Sequence, residues 1–321
     1  MLRGKVLLTD HPWPDAGIER DILAGAGLEL TELPAGADPA KSRSLSADVD
    51  GILTCWAPVP RAMIESSPSL RVVSRMGVGL DNIDLAAAAA RGIVVTNVPD
   101  YCVEEVSDHV VAFVHAWARG TIWYDRLVRE GGWAPGRYPL RKVSSLTVGV
   151  IGLGRIGQRA AAKLRALGCR VLGSDPAAPV AVAGVEIVPQ ADLLAEAEVV
   201  TIHVPLLPGT HHLVDGTFLD TMRPGSLLIN VSRGGLVDTA ALTSTLRDGR
   251  LSAAALDVLE SEPEVPPALR ELPNVFLTPH VAFLSDTSIV ELRRRSTEEV
   301  VAVLSGQAPR NPVPLPAPPA S

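Results

Sequence analysis

Three cysteines in 321 residues are too few and too scattered to staple a fold. Cys55, Cys102 and Cys169 match neither a zinc-ligand nor a C-x-x-C spacing. That excludes a disulfide scaffold and a cysteine metal module, and reduced thiols of a cytoplasmic protein are expected. A basic surplus is missing too: 29 Lys and Arg face 36 Asp and Glu, a formal charge of −7. Without a basic footprint, neither nucleic acid nor an anionic membrane surface is an expected partner. No apolar window approaches a bilayer span, and the apolar part of residues 1–10 is too short for a signal peptide. No repeat of solenoid period runs along the chain. What remains is 47% hydrophobic and 20% charged, a soluble composition with core enough for about two domains.

The most informative stretch is 144–176. Leu146 to Ile151 is an apolar run of strand length, followed by Gly152, Gly154 and Gly157 in G-x-G-x-x-G spacing. Arg159 to Leu167 has helical composition, and Gly168 stands where a helix would end. A second apolar run, Arg170 to Gly173, leads to Asp175. In this order each part has work to do on a dinucleotide. Gly152 makes the tight turn, Gly154 lets backbone approach a pyrophosphate, and Gly157 lets helix and strand pack closely. The helix start, with Arg155 and Ile156, offers free N–H groups to the phosphates. Asp175 can accept hydrogen bonds from a ribose 2′-OH and would repel a 2′-phosphate, which favours NAD over NADP.

Elsewhere short apolar runs alternate with helical ones. Strands are expected at Lys5–Thr9, Leu28–Leu33, Gly51–Cys55, Leu70–Ser74 and Ile93–Thr96. More follow at Val199–His203, Ser226–Asn230, Ala253–Asp257 and Val275–Thr278. Helices are expected at Ile18–Ala26, Arg61–Ser66, Leu85–Arg91, Val103–Trp117, Ala191–Ala197, Thr239–Arg247 (with Asp238 as N-cap) and Ile289–Leu304. Residues 34–48 read as loop with a turn of helix, and 120–145 as irregular. Residues 308–321, with six prolines, read as an extended or disordered tail. The alternation implies α/β architecture with parallel sheets. The last helix follows the cofactor sheet, so it is expected to return to the first domain.

Five segments in order carry a family resemblance: Gly77-Val-Gly-Leu-Asp-Asn-Ile-Asp84, Ile151-Gly-Leu-Gly-Arg-Ile-Gly157, Asn230-Val-Ser-Arg-Gly-Gly-Leu-Val-Asp238, Leu256-Asp-Val-Leu-Glu-Ser-Glu-Pro263 and Leu277-Thr-Pro-His280. The chain resembles an NAD-dependent D-2-hydroxyacid dehydrogenase of the D-isomer-specific superfamily. Arg75 and the run Ser285 to Glu291 look most like the C-terminal-binding-protein branch. The resemblance implies two doubly wound parallel-sheet domains. A Rossmann cofactor domain (100–284) is inserted into a flavodoxin-like substrate domain (1–99 and 285–321), with a cleft between them that closes on the substrate.

It also implies a catalytic set. Arg233 would hold the substrate carboxylate and polarise its C2 carbonyl, since a planar guanidinium binds carboxylate bidentately. His280 would be the acid–base group, and Glu262 would fix the tautomer and charge of that imidazole. Glu260 is a competing carboxylate two residues earlier. Asp257 resembles an aspartate near the nicotinamide, its alternative being a strand-end cap. Pro205, Thr210 and Val231 match positions lining the cofactor. Val78 and Gly79 match a loop whose amides receive the substrate carboxylate. Arg75 would be a second pocket arginine or a surface one. Phe283 stands where the branch carries tryptophan, which leaves the preferred substrate side chain open, and Trp56 would form a pocket wall or pack. His109, His115, His203, His211 and His212 are read as structural or exposed, with His203, near Pro205, expected to line the cofactor cleft without catalysing. No metal is expected. A homodimer is expected through Val103–Trp117 and an arm at 120–145, with Trp117, Trp123 and Trp133. The alternative is an NAD(H)-sensing, co-repressor-like interaction protein on the same fold.

Overall fold

The computed structural model describes residues 3–34, 36, 38–177 and 181–316. The chain divides into two compact units, Met1–Tyr101 with Ser285–Ser321, and Cys102–Leu284.

The first unit holds five parallel strands: β1 (Lys5–Leu8), β2 (Glu29–Glu32), β3 (Gly51–Thr54), β4 (Val72–Arg75) and β5 (Val94–Thr96). Their order is β2-β1-β3-β4-β5, the flavodoxin-type winding. Alternation along β1 builds both faces. Val6 and Leu8 join one apolar cluster with the helices Gly17–Gly25 and Ser288–Leu304. Leu7 joins the other, with Met63, Ile64, Ala87 and Ala88. A parallel sheet covered on both faces must be apolar on both, hence strands read as continuous hydrophobic runs. Ser288–Leu304 is bound to the first helix by a buried bidentate ion pair, Arg293 Nε and Nη2 to Glu19 at 2.8 and 2.7 Å. The terminal helix therefore does return to the N-terminal sheet.

The second unit holds β6 (Thr147–Ile151), β7 (Arg170–Ser174), β8 (Glu186–Ile187), β9 (Val199–Ile202), β10 (Leu227–Asn230), β11 (Ala253–Leu256) and β12 (Val275–Leu277). The order is β12-β11-β10-β9-β6-β7-β8, all parallel. The winding reverses between β6 and β9, which is the switch point where such sheets bind ligands beyond their carboxyl ends. Asp238 caps the Thr239–Arg247 helix as expected, accepting from the amides of Ala240 and Ala241.

Three expectations are corrected. Residues 120–145 are not all irregular: Thr121–Arg129 is a helix, started after Gly120 ends the preceding helix in a left-handed conformation. Its prolines come only later, at Pro135 and Pro139, so nothing in 121–129 breaks a helix. Trp117 is not an interface residue. It is fully buried, its Nε1 donates to Ser252 Oγ at 2.9 Å, and Arg141 covers its ring. The proline-rich tail is extended as expected but not loose through residue 316: the Val313 amide donates to Val95 at 2.8 Å, Pro312 bridges Thr96, and Val313 and Leu315 pack on the core. Its last five positions, with Pro318 and Pro319, lie outside the described residues.

Candidate active site

The glycine turn lies at the carboxyl end of β6. Gly152 has φ +90°, and a β-carbon there would sit 2.5 Å from the His203 carbonyl oxygen, so only glycine fits. A β-carbon on Gly157 would strike the Gly152 carbonyl, so the helix approaches β6 as closely as the motif requires. Gly154, by contrast, faces open space and forms the uncapped start of the Arg155–Ala166 helix. Arg155 is exposed there and Ile156 half-buried. That is a concave backbone surface with positive helix dipole, and it suits a diphosphate. Asp175, just past β7, accepts the Leu153 amide at 2.7 Å and the Ala177 amide at 2.8 Å. Its carboxylate is thereby fixed beside the turn. These residues fit NAD.

Beyond β9 the chain enters a loop that Thr210 ties together. Its hydroxyl donates to the Pro205 carbonyl at 2.7 Å and accepts the Leu207 amide at 2.8 Å. Val231, after β10, is buried. His203 hydrogen-bonds Thr201 Oγ1 at 3.0 Å, and burial pulls its ring down to about 4, so it stays neutral.

His280 and Glu262 meet. Nδ1 lies 2.8 Å from Glu262 Oε2, while Glu262 Oε1 accepts the Leu259 amide at 2.9 Å. Burial pushes the Glu262 carboxyl up, but the His280 hydrogen bond and charge, the Leu259 amide and the Arg233 charge outweigh it and hold it below the usual range. Glu262 is therefore ionised at neutral pH. Glu260, its rival, pairs instead with His212 at 2.6 Å. His280 adopts φ +54°, a strained conformation for a residue with a side chain. Asp257 sustains it. Its carboxylate accepts Thr278 Oγ1 at 2.5 Å and the amides of Val281 and Ala282 at 2.9 Å, and its carbonyl accepts the His280 amide at 2.8 Å. Asp257 is thus the cap of the strand-end turn that carries His280.

Arg233 follows β10 in a turn clamped by Asn230, whose Nδ2 donates to the Arg233 carbonyl at 2.8 Å and whose Oδ1 accepts the Ser232 amide at 3.0 Å. Its charge reaches Glu262. Gly234 packs directly on the Leu259 backbone, which binds the arginine turn to the glutamate loop. Phe283 meets the His280 ring edge-on at 6.0 Å.

In the other unit, Arg75 ends β4. It is 6% exposed, so the surface alternative fails. It folds back over Gly77 and donates to the Met76 carbonyl, beside Cys55, whose thiol burial pushes up to about 12. Val78 accepts Asn97 Nδ2 at 2.8 Å, and Gly79 is half-buried. Trp56 is 41% exposed, its amide held by Asp10 at 2.7 Å.

His109, read from the sequence as structural or exposed, proves structural, with a partner the sequence did not name. From the Val103–Arg119 helix it hydrogen-bonds Thr278 at 3.1 Å and lies 3.9 Å from Asp257. Burial lowers it, against the pull of that carboxylate. A lone histidine on a helix carries no sign of such a tertiary partner. The roles of Gly234 and Asn230 were equally hidden, being backbone contacts.

Residues 111–282 match the model of the D-isomer specific 2-hydroxyacid dehydrogenase NAD binding domain. Among curated proteins, the glyoxylate reductase of Korarchaeum cryptofilum is 37% identical over 274 residues, 82% of each chain. The D-3-phosphoglycerate dehydrogenase of Mycobacterium leprae is 38% identical over 250 residues, 77% of this chain and 47% of that protein. The chain thus spans about half the length of several curated relatives it matches. Among solved structures, the D-lactate dehydrogenase of Aquifex aeolicus, complexed with NAD and lactic acid, superposes with a TM-score of 0.88 at 28% identity, covering 98% of this chain and 100% of that one. With glycine turn, fold and sequence in agreement, the chain belongs to the D-isomer specific 2-hydroxyacid dehydrogenase family.

Proposed function

We propose that the protein is an NAD(H)-dependent oxidoreductase that interconverts a small 2-keto acid and its D-2-hydroxy acid. The observation that carries the reading is the His280–Glu262 pair at 2.8 Å, held on the same loop system as Arg233. Gly152, Gly154, Arg155, Ile156 and Gly157 would hold the diphosphate of the cofactor, and Asp175 the adenosine ribose. Pro205, Thr210 and Val231 would line its course. When bound, NADH supplies the hydride for C2 of the substrate.

The chain's own residues do the rest. Arg233 binds the carboxylate and draws electron density from the C2 carbonyl. His280, its Nδ1 engaged by Glu262, gives a proton from Nε2 to the carbonyl oxygen as the hydroxyl forms, and takes it back in the reverse direction. Glu262 stabilises the imidazolium that this cycle requires. Asp257 acts through the turn bearing His280. Substrate contacts for Arg75, Val78, Gly79 and Phe283 follow from the family resemblance.

The names of the relatives, dehydrogenases and reductases, favour this reading over a co-repressor-like interaction protein. Three buried cysteines, Cys55, Cys102 and Cys169, support a cytoplasmic setting, and among the described residues no helix is long and apolar enough to cross a membrane. A homodimer is supported by exposed Ile122, Val128, Trp133 and Leu140 in 121–141, and a monomeric mass in solution would overturn it. The decisive experiment follows nicotinamide absorbance with glyoxylate, pyruvate and 3-phosphohydroxypyruvate. Turnover that disappears in His280→Ala supports the proposal; turnover unchanged in that variant, or none with any 2-keto acid, refutes it.

A further inference from the structure

We propose that His211, His212 and Glu260 form a binding site for a divalent transition-metal ion of the zinc class. Each side chain offers one ligand atom, and the three atoms lie within 4.8 Å of one another. Ligands bound about 2.0–2.2 Å from a common ion can lie at most about 4.4 Å apart, so small side-chain rotations complete the geometry. Two imidazoles and a carboxylate are a donor set that zinc and its first-row neighbours favour, whereas magnesium and calcium prefer oxygen alone. The remaining positions face water, because His211 and Glu260 are exposed.

The backbone under the cluster is fixed. The His212 amide donates to the Gly235 carbonyl at 2.9 Å, and the Val214 amide to Leu236 at 2.9 Å. Thr210 pins the loop just before. Glu260 Oε2 accepts the Thr239 amide at 3.3 Å while Oε1 meets His212 Nε2 at 2.6 Å. The rings of His211 and His212 lie together, centroids 4.0 Å apart. The cluster is separate from the His280–Glu262 pair, which uses a different carboxylate and a different imidazole. A bound ion would tie the loop after β9 to the loop after β11. Nothing in the primary structure marks it, since adjacent histidines and a glutamate 48 positions on match no metal spacing.

The test is a calorimetric titration of the untagged full chain with Zn²⁺ alone at neutral pH, paired with Co²⁺ titration followed by visible absorption. One ion per chain is expected, with Co²⁺ bands of a nitrogen–oxygen site. His211→Ala and Glu260→Gln should each weaken Zn²⁺ binding about tenfold or more, while His280→Ala binds as the parent does. His211 is exposed, so His211→Ala should fold normally, which melting without metal checks. No Zn²⁺ uptake by the parent overturns the proposal. So does unweakened binding in a folded His211→Ala, or loss of binding in His280→Ala. None of these outcomes bears on turnover of keto acids, so the dehydrogenase reading stands or falls separately.

Discussion

Gly234→Ala tests whether the arginine turn and the glutamate loop work as one piece. A β-carbon on Gly234 would lie 1.9 Å from the carbonyl carbon and oxygen of Leu259, and 2.4 Å from the Glu260 amide nitrogen. Ordinary contact begins near 3.4 Å, so the two backbones must part by about 1.5 Å. No side chain can rotate away to absorb this, because all three obstructing atoms are main chain. The displaced segment includes Leu259, whose amide holds Glu262 Oε1, and Glu262 in turn orients His280. Misplacement on the order of 1 Å can cost about 10²-fold in rate, so kcat should fall about 10²-fold. Overpacking should cost about 1–3 kcal/mol of stability. Gly235→Ala is the control: its β-carbon would meet the Leu206 methyls at 3.2 and 3.4 Å and the His211 ring at 3.7 Å, side-chain atoms that can yield. The assay is steady-state kinetics on the best keto acid, with NADH affinity measured by fluorescence. NADH binding should survive in both variants, since the glycine turn at Gly152–Gly157 is untouched. A Gly234→Ala enzyme as active as Gly235→Ala would refute the coupling.

His280→Ala should lower kcat about 10²–10⁴-fold with little change in NADH binding, and a loss mainly in cofactor affinity would contradict its role. Asp175→Ser should raise use of NADPH relative to NADH about tenfold or more, because a carboxylate that repels a 2′-phosphate is gone; unchanged preference by kcat/KM would count against Asp175. His203 makes a pH prediction. Its folded ring titrates near 4 because of burial, whereas an unfolded histidine titrates near 6.5. Between those values the unfolded chain holds a proton that the folded chain refuses, so stability is full above about pH 6.5 and falls as pH drops toward 4. The loss from this residue is at most about 3 kcal/mol, reduced because the residue keeps some contact with water. His203→Asn should flatten that part of the slope in urea unfolding, and an identical slope would show the ring is not responsible.

Why some of this was readable in the sequence, and some not, comes down to where each constraint acts. Parallel strands covered on both faces leave uninterrupted apolar runs, so β1, β3, β6, β9 and β10 stand out at nearly their true bounds. The glycine turn is legible because two of its glycines answer a local collision, the Gly152 position against His203 and the Gly157 position against Gly152 itself, while Gly154 leaves open space. Edge strand β8 is only Glu186–Ile187, both exposed, too short a run to mark a strand. The Thr121–Arg129 helix hid behind tryptophans and later prolines that suggested loop. Asp257 was read as a cofactor neighbour or a cap, and its capping contacts with Thr278, Val281 and Ala282 emerge only in the fold, being mostly to backbone amides. The choice between Glu260 and Glu262, two positions apart, rested in the sequence on the acid that stands directly before Pro263, and in the fold the chain aims Glu260 at His212 and Glu262 at His280. Residue types fix which chemistry is available, while the backbone decides which of two equal side chains performs it. That is why perturbing a glycine with no chemistry of its own is the sharper test of this site.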